Sequence, residues 1–126
     1  MEVREYVREN GTNPYQQWFD RLDAIAAAKV TVAKSRLELG NTSNIKWFDG
    51  IGEYRIDWGP GYRIYLAREG KEIIILLGGD TKKNQQSDID RARELYREYK
   101  QRKKEMRKTD TQATIAPKKR KKRKRP

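Results

Sequence analysis

The 126 residues allow one domain and little more, and 38% charged against 35% hydrophobic residues describe a thin core under a heavily charged surface. Of the net charge of +12, the last ten residues, Pro117–Pro126, contribute +8 and residues 1–116 the remaining +4, an excess that favours anionic partners. The lack of Cys and His excludes disulfides, thiolate or imidazole metal sites and His-centred triads, so any proton transfer must use Glu, Asp, Lys, Tyr or Arg.

Residues 1–8 read as a first strand, with Val3 and Val7 set among charges. Asn13 is a good N-cap and Pro14 fits a first helical position. Tyr15, Trp18, Phe19 and Leu22 then follow at helical spacing as an apolar stripe. Asp23 can cap a second helix running to about Leu39, with Ile25, Ala28, Val32 and Leu39 read as its apolar face, and Gly40-Asn41 ends it. From Ile45 the period changes to two. Glu53–Trp58 alternates, Gly59-Pro60-Gly61 turns the chain, and Tyr62–Leu66 resumes the alternation. After a second turn at Glu69-Gly70-Lys71, Ile73–Leu77 is a continuous apolar run, as in a central strand. A last helix is expected over about Gln85–Lys104, with Ile89, Ala92, Tyr96 and Tyr99 on one stripe. Residues 105–126 have nothing to bury and are expected to form a disordered basic tail, whose terminal block binds polyanions without sequence preference. The order β-α-α-β-β-β-α implies an α+β domain over residues 1–104, its helices on one face of a small, twisted, mostly antiparallel sheet. No apolar run approaches the roughly 20 residues needed to span a bilayer, and MEVREYVREN holds no secretory apolar segment, so a cytoplasmic protein without a membrane role is expected.

A three-residue loop at Gly59-Pro60-Gly61 would oppose Trp58 to Tyr62, Ile56 to Ile64 and Tyr54 to Leu66 on one face of the hairpin. The other face would then carry Glu53, Arg55, Asp57, Arg63 and Tyr65. A two-residue loop would pair residues from opposite faces, which a half-buried sheet resists. Such a face is either a solvated surface with ordinary cross-strand ion pairs or a site.

The stretch Asp49–Leu66, DGIGEYRIDWGPGYRIYL, closely resembles the signature of RelE/ParE-superfamily toxins, nearest to the addiction-module killer and HigB-like branch. Trp18-Phe19 with Leu22, Gly40-Asn41 with Lys46, and Leu76-Leu77-Gly78-Gly79 followed by Lys82-Lys83, Gln85 and Asp88-Ile89 extend the resemblance over about residues 1–100. The resemblance implies the compact RelE fold and a type II toxin that cleaves translated mRNA on the ribosome without metal or other cofactor. It also implies neutralisation by a cognate, helix-turn-helix antitoxin, in an assembly such as a heterotetramer. Arg63 falls on the Gly-Tyr-Arg arginine that matters for catalysis in relatives, and Lys82 and Lys83 fall near a basic position after the last strand. The lysine pair of those relatives has no match on the preceding strand, which offers Glu53, Arg55 and Asp57.

Metal-free RNA cleavage needs a base for the 2′-hydroxyl, charge against a dianionic phosphorane and a proton for the leaving oxygen. Arginine suits the second role, because its fork matches phosphate oxygens and stays charged. Arg63 and Arg55 are the candidates for it. Glu53 is either the base or the partner that orients Arg55. Lys82, Lys83 and Tyr65 either supply the proton or bind phosphate. Lys46 and Gln85 complete the expected RNA contacts, with Gln85 alternatively capping the last helix. Two other functions remain open: a ParE-like inhibitor of DNA gyrase, and a decayed homologue that only binds antitoxin.

Overall fold

The structure, a computed structural model, describes residues 1–115; for Lys82 and residues 109–115 it describes the backbone alone. In chain order come β1 (Glu2–Glu5), α1 (Pro14–Asp20), α2 (Ala24–Glu38), β2 (Ile45–Phe48), β3 (Ile51–Ile56), β4 (Tyr62–Glu69), β5 (Ile73–Thr81), a 3-10 turn over Lys82–Asn84, and α3 (Gln85–Ile115). The strands form one mixed sheet in the order β1-β5-β4-β3-β2. Only the β1–β5 pair is parallel among these neighbours. The architecture is α+β with three α-helices.

The caps sit where the sequence sets them. Asn13 Oδ1 accepts the Gln16 N–H at 3.0 Å and Asp23 Oδ1 the Ala26 N–H at 2.9 Å. Each satisfies a backbone donor that a helix start leaves unpaired. Glu5 ties β1 to both helices, accepting Asn13 Nδ2 at 2.8 Å and Lys34 Nζ at 2.9 Å. The buried face of α2 is not the expected one. Ala26, Val30, Ala33 and Leu37 face the core, whereas Ile25, Val32 and Leu39 are exposed. Alanines at the contact let the helix lie close on the sheet, and that packing outweighs the burial of a few larger side chains.

Three strands are expected after α2, and four form. Asp49 and Gly50 both take positive φ, 51° and 93°, and close a two-residue turn between β2 and β3. That backbone twist suits a tight hairpin, and an Asp-Gly pair is its sequence signal. The next hairpin keeps the expected faces but slips by two residues: Tyr54 opposes Ile64, Arg55 opposes Arg63 and Glu53 opposes Tyr65. The loop is therefore Asp57–Gly61, closed by Trp58 N–H to Ile56 O and Gly61 N–H to Trp58 O, both at 3.0 Å. Gly59 and Gly61 take the positive φ values this loop needs. Asp57 falls in the loop, exposed, and leaves the site face.

The helices cover both faces of the sheet rather than one. Tyr15 and Trp18 of α1 and the buried residues of α2 share a core with Tyr54, Ile64, Leu66, Ile74 and Leu76. Successive residues of a strand point to opposite faces. Glu53, Arg63 and Tyr65 therefore point away from that core, and α3 meets them there through Gln85. The close approach of α1 depends on Gly79, where a Cβ would stand 2.4 Å from the Trp18 ring.

Two compact units divide the chain, Met1–Tyr96 and the residues from Arg97 onward. Within the first, Ile89, Ala92 and Leu95 form the buried stripe of α3. Within the second, the helix persists to Ile115, past the expected end at Lys104 and into the stretch expected to be disordered. No Gly or Pro interrupts the sequence between Gly79 and Pro117, and Gln101 hydrogen-bonds Glu105 one turn on, at 3.1 Å. The basic block Pro117–Pro126 lies outside the described residues. Among the described residues no helix is long and apolar enough to cross a membrane.

Candidate functional site

Cross-strand register brings most of the sequence candidates onto the face that α3 covers. One row runs Lys46, Glu53, Tyr65, Gly78, and the next runs Arg55, Arg63, Asp80. An extra residue in β5, Leu77, sets the last column, because the register shifts between Tyr65 and Leu66. Such a bulge re-aims the side chains beyond it.

Glu53 is the centre of the group and is fully buried, at 0% exposure. Its Oε1 accepts from Arg55 Nε at 2.9 Å. Its Oε2 accepts from Gln85 Nε2 at 2.8 Å and from Tyr65 OH at 3.4 Å, and stands 3.0 Å from Arg63 Nε. Burial alone would raise the Glu53 pKa. The hydrogen bonds of Arg55 and Gln85 and the charges of Arg63 and Arg55 outweigh it and hold the carboxyl below its ordinary range. A group so held is a poor base, so Glu53 is the partner that orients arginines rather than a proton acceptor. The side-chain amide of Gln85 donates to Glu53 from the start of α3. Tyr65 is pushed well up, by burial first and then by the Glu53 charge, so its phenol stays protonated as a donor.

The two arginines differ. Arg63 is 5% exposed, and its Nε and Nη1 are buried without an aligned acceptor, the ion-pair contact with Glu53 included. The Arg55 side chain is half exposed, anchored at Nε, so its outer guanidinium edge faces solvent. Lys46 is exposed on the neighbouring strand with its ammonium 5.2 Å from the Phe48 ring centroid. Lys83 is exposed in the 3-10 turn, and nothing among the described contacts joins it to the cluster. Lys82 occupies the same turn, and its side chain lies outside the described residues.

Two carboxyls of the site escaped sequence reasoning. Asp80 stands directly across from Arg63, and Asp88, in the first turn of α3, lines the same cavity as Asp80. Burial first, and then the neighbouring Asp80 carboxyl, push Asp88 up to about 7, with Arg63 pulling the other way. The signal was the stripe of α3 itself. Gln85 and Asp88, three residues apart, head the line continued by Ala92 and Leu95, and polar residues at the head of a buried stripe need partners.

No family model matches the chain. Over 89 residues it is 40% identical to an uncharacterized protein of Haemophilus influenzae, an alignment that spans 69% of this chain and 90% of that protein. The chain belongs to that protein's family. Identity of this extent over nearly all of the relative carries the fold with it, and leaves activity to be argued from the site.

Proposed function

We propose that the chain is a RelE-like toxin of a type II toxin–antitoxin system, an mRNA interferase that cleaves translated mRNA on the ribosome and is neutralised by a cognate antitoxin. The observation that carries this is the half-exposed Arg55, aimed by a buried carboxylate and flanked by Lys46 on the same face. A guanidinium fixed at Nε keeps its two terminal nitrogens for phosphate oxygens, the bidentate geometry that suits a phosphorane. The element order, a helical hairpin before the main sheet and α3 after it, supports the likeness to the RelE fold. A positively charged face also suits a substrate preorganised by the ribosome, where positioning supplies much of the rate.

The burial of Arg63 favours a second function, ParE-like inhibition of DNA gyrase, which acts by protein contact and needs no exposed catalytic group. Mapping mRNA 5′ ends after a brief pulse of expression separates the two, with wild type set against Arg55→Ala. New in-frame cuts that vanish in the variant, with its folding intact, support RNA cleavage. Growth arrest without new 5′ ends sinks it and moves the target to gyrase. Neither arrest nor cuts would leave a homologue that only binds antitoxin.

A further inference from the structure

We propose that the groove between α2 and β3 seats one unpaired nucleotide of an RNA strand, with its base on Trp58 and its phosphates at Lys29, Arg36 and Arg55. The proposal rests on the RNA-cleaving function above and adds a strand-holding site outside the Glu53 cluster.

The groove follows from the register of the sheet. β2 begins at Ile45, opposite Tyr54, so β3 beyond Tyr54 has no strand on that side among the described residues. The space between that free edge and α2 is a cavity of about 400 Å3. Ligand sites run from roughly 300 to 1,000 Å3, so this one is large enough for a nucleotide. Val32, Ala33 and Ile56 give it an apolar lining and Trp58 an aromatic one. The indole is part-exposed and held in place. It packs against the core and stacks on Tyr62, with 6.2 Å between centroids and 18° between planes. A fixed aromatic face gives up little freedom when a base stacks on it, and every base offers such a face.

The charges point the same way. Lys29, Arg36 and Arg55 line the groove against a single acid, Asp57. Lys29 and Arg36 are exposed, and among the described residues no carboxylate pairs with either. The Lys29 ammonium lies over the Trp58 ring, 5.8 Å from its centroid, so a cation already stands beside the aromatic face. Asp57 offers an acceptor for the exocyclic amine of a base, and the Asn44 amide offers both a donor and an acceptor for its ring edge. Arg55 joins the groove to the site, because it lines the one and is held by Glu53 in the other. A strand crossing the free edge of β3 thus passes from Trp58 to the guanidinium proposed to meet the phosphorane. An acidic protein segment would satisfy the cations and leave the flat face beside an amide unexplained.

The test titrates the full chain, labelled with nitrogen-15, with a short oligoadenylate whose 2′-hydroxyls are methylated to prevent cutting. The indole N–H of Trp58 and the backbone N–H of Gly59 are read, since total binding would include the basic block Pro117–Pro126. Both signals should move and saturate together. Trp58→Leu and Arg36→Glu should each weaken the binding read at Gly59 about tenfold. Trp58→Phe, which keeps a ring, and Lys71→Glu, at the far end of β4, should stay within about threefold of wild type. Arg36→Glu, at an exposed position, decides the matter if Trp58→Leu fails to fold. An abasic oligonucleotide of the same length that moves the Trp58 signal with equal affinity overturns the base seat and leaves a plain cationic patch. Polyglutamate that moves it where oligoadenylate does not overturns the proposal in favour of an acidic protein partner. Cleavage of a defined mRNA on ribosomes keeps the two readings apart. Wild type that cuts while Trp58 stays unmoved by RNA overturns the seat alone. A Trp58 that takes the base in a chain that never cuts supports the seat and overturns RNA cleavage.

Discussion

Removing the Glu53 carboxylate should cost this protein a large part of its stability, and the amount can be worked from its neighbours. In Glu53→Ala the guanidinium of Arg63, 5% exposed, loses its counter-charge at 3.0 Å while remaining inside. Breaking a buried ion pair from one side costs about 3–5 kcal/mol. Gln85 and Tyr65 each lose an acceptor as well, worth roughly 1–3 kcal/mol apiece where the donor stays dry, although such losses overlap rather than add. The half-exposed Arg55 contributes little to the total, about 0–1 kcal/mol, because solvent screens it. The expected loss is therefore about 4 kcal/mol, out of the roughly 5–15 typical of a domain. Urea unfolding of wild type, Glu53→Ala and Arg55→Ala measures it directly. Arg55→Ala should lose under about 1 kcal/mol. Replacing both partners, as in Glu53→Leu with Arg63→Met, should recover much of the Glu53→Ala loss, since a buried pair is often no better than apolar side chains of its size. A Glu53→Ala loss under about 1 kcal/mol would refute the clamp. A double variant no more stable than Glu53→Ala would refute the claim that the stranded Arg63 charge is what costs.

Neighbouring glycines should separate cleanly. Gly79→Ala drives a Cβ to 2.4 Å from the Trp18 ring and should lose about 1–3 kcal/mol by thermal unfolding, whereas Gly78→Ala meets nothing within 4 Å and should stay within about 1 kcal/mol of wild type. Stability should also depend on Asp88. Its folded pKa is raised to about 7, so its contribution is fully present below its unfolded pKa, near 4, and is lost as pH rises through about 7. Asp88→Asn should therefore gain stability relative to wild type as pH rises from about 4 to about 8, read from unfolding midpoints at both pH values. Asn13→Ala removes the cap on Gln16 N–H and the bond to Glu5, and should lower stability by about 1 kcal/mol in the same assay.

Which residues share a face was legible in the sequence, and who stands opposite whom was not. Alternation fixes the face of every residue in Glu53–Ile56 and Tyr62–Leu66, but a slip of two leaves all faces unchanged, so pattern alone cannot choose between registers. The expected register set Asp57 against Arg63, a favourable opposite-charge pair. The register that forms sets Arg55 against Arg63 and sends Asp57 into the loop. Like charges directly opposite each other are destabilising, and the hairpin tolerates this pair because Glu53, buried beneath α3, contacts both guanidiniums. Asp80 and Asp88 were invisible for a related reason. Their place on one cavity depends on the Leu77 bulge and on where α3 starts, and neither periodicity nor charge pattern encodes those. The register that forms gives Lys46 and Arg63 acidic partners across the strands, Glu53 and Asp80, and leaves Arg55 opposite Arg63 as the one like-charged pair of this face that Glu53 must offset. An arginine that needs a buried anion to sit opposite another arginine is a costly way to build a hairpin, and it fits the proposed anionic substrate better than folding alone.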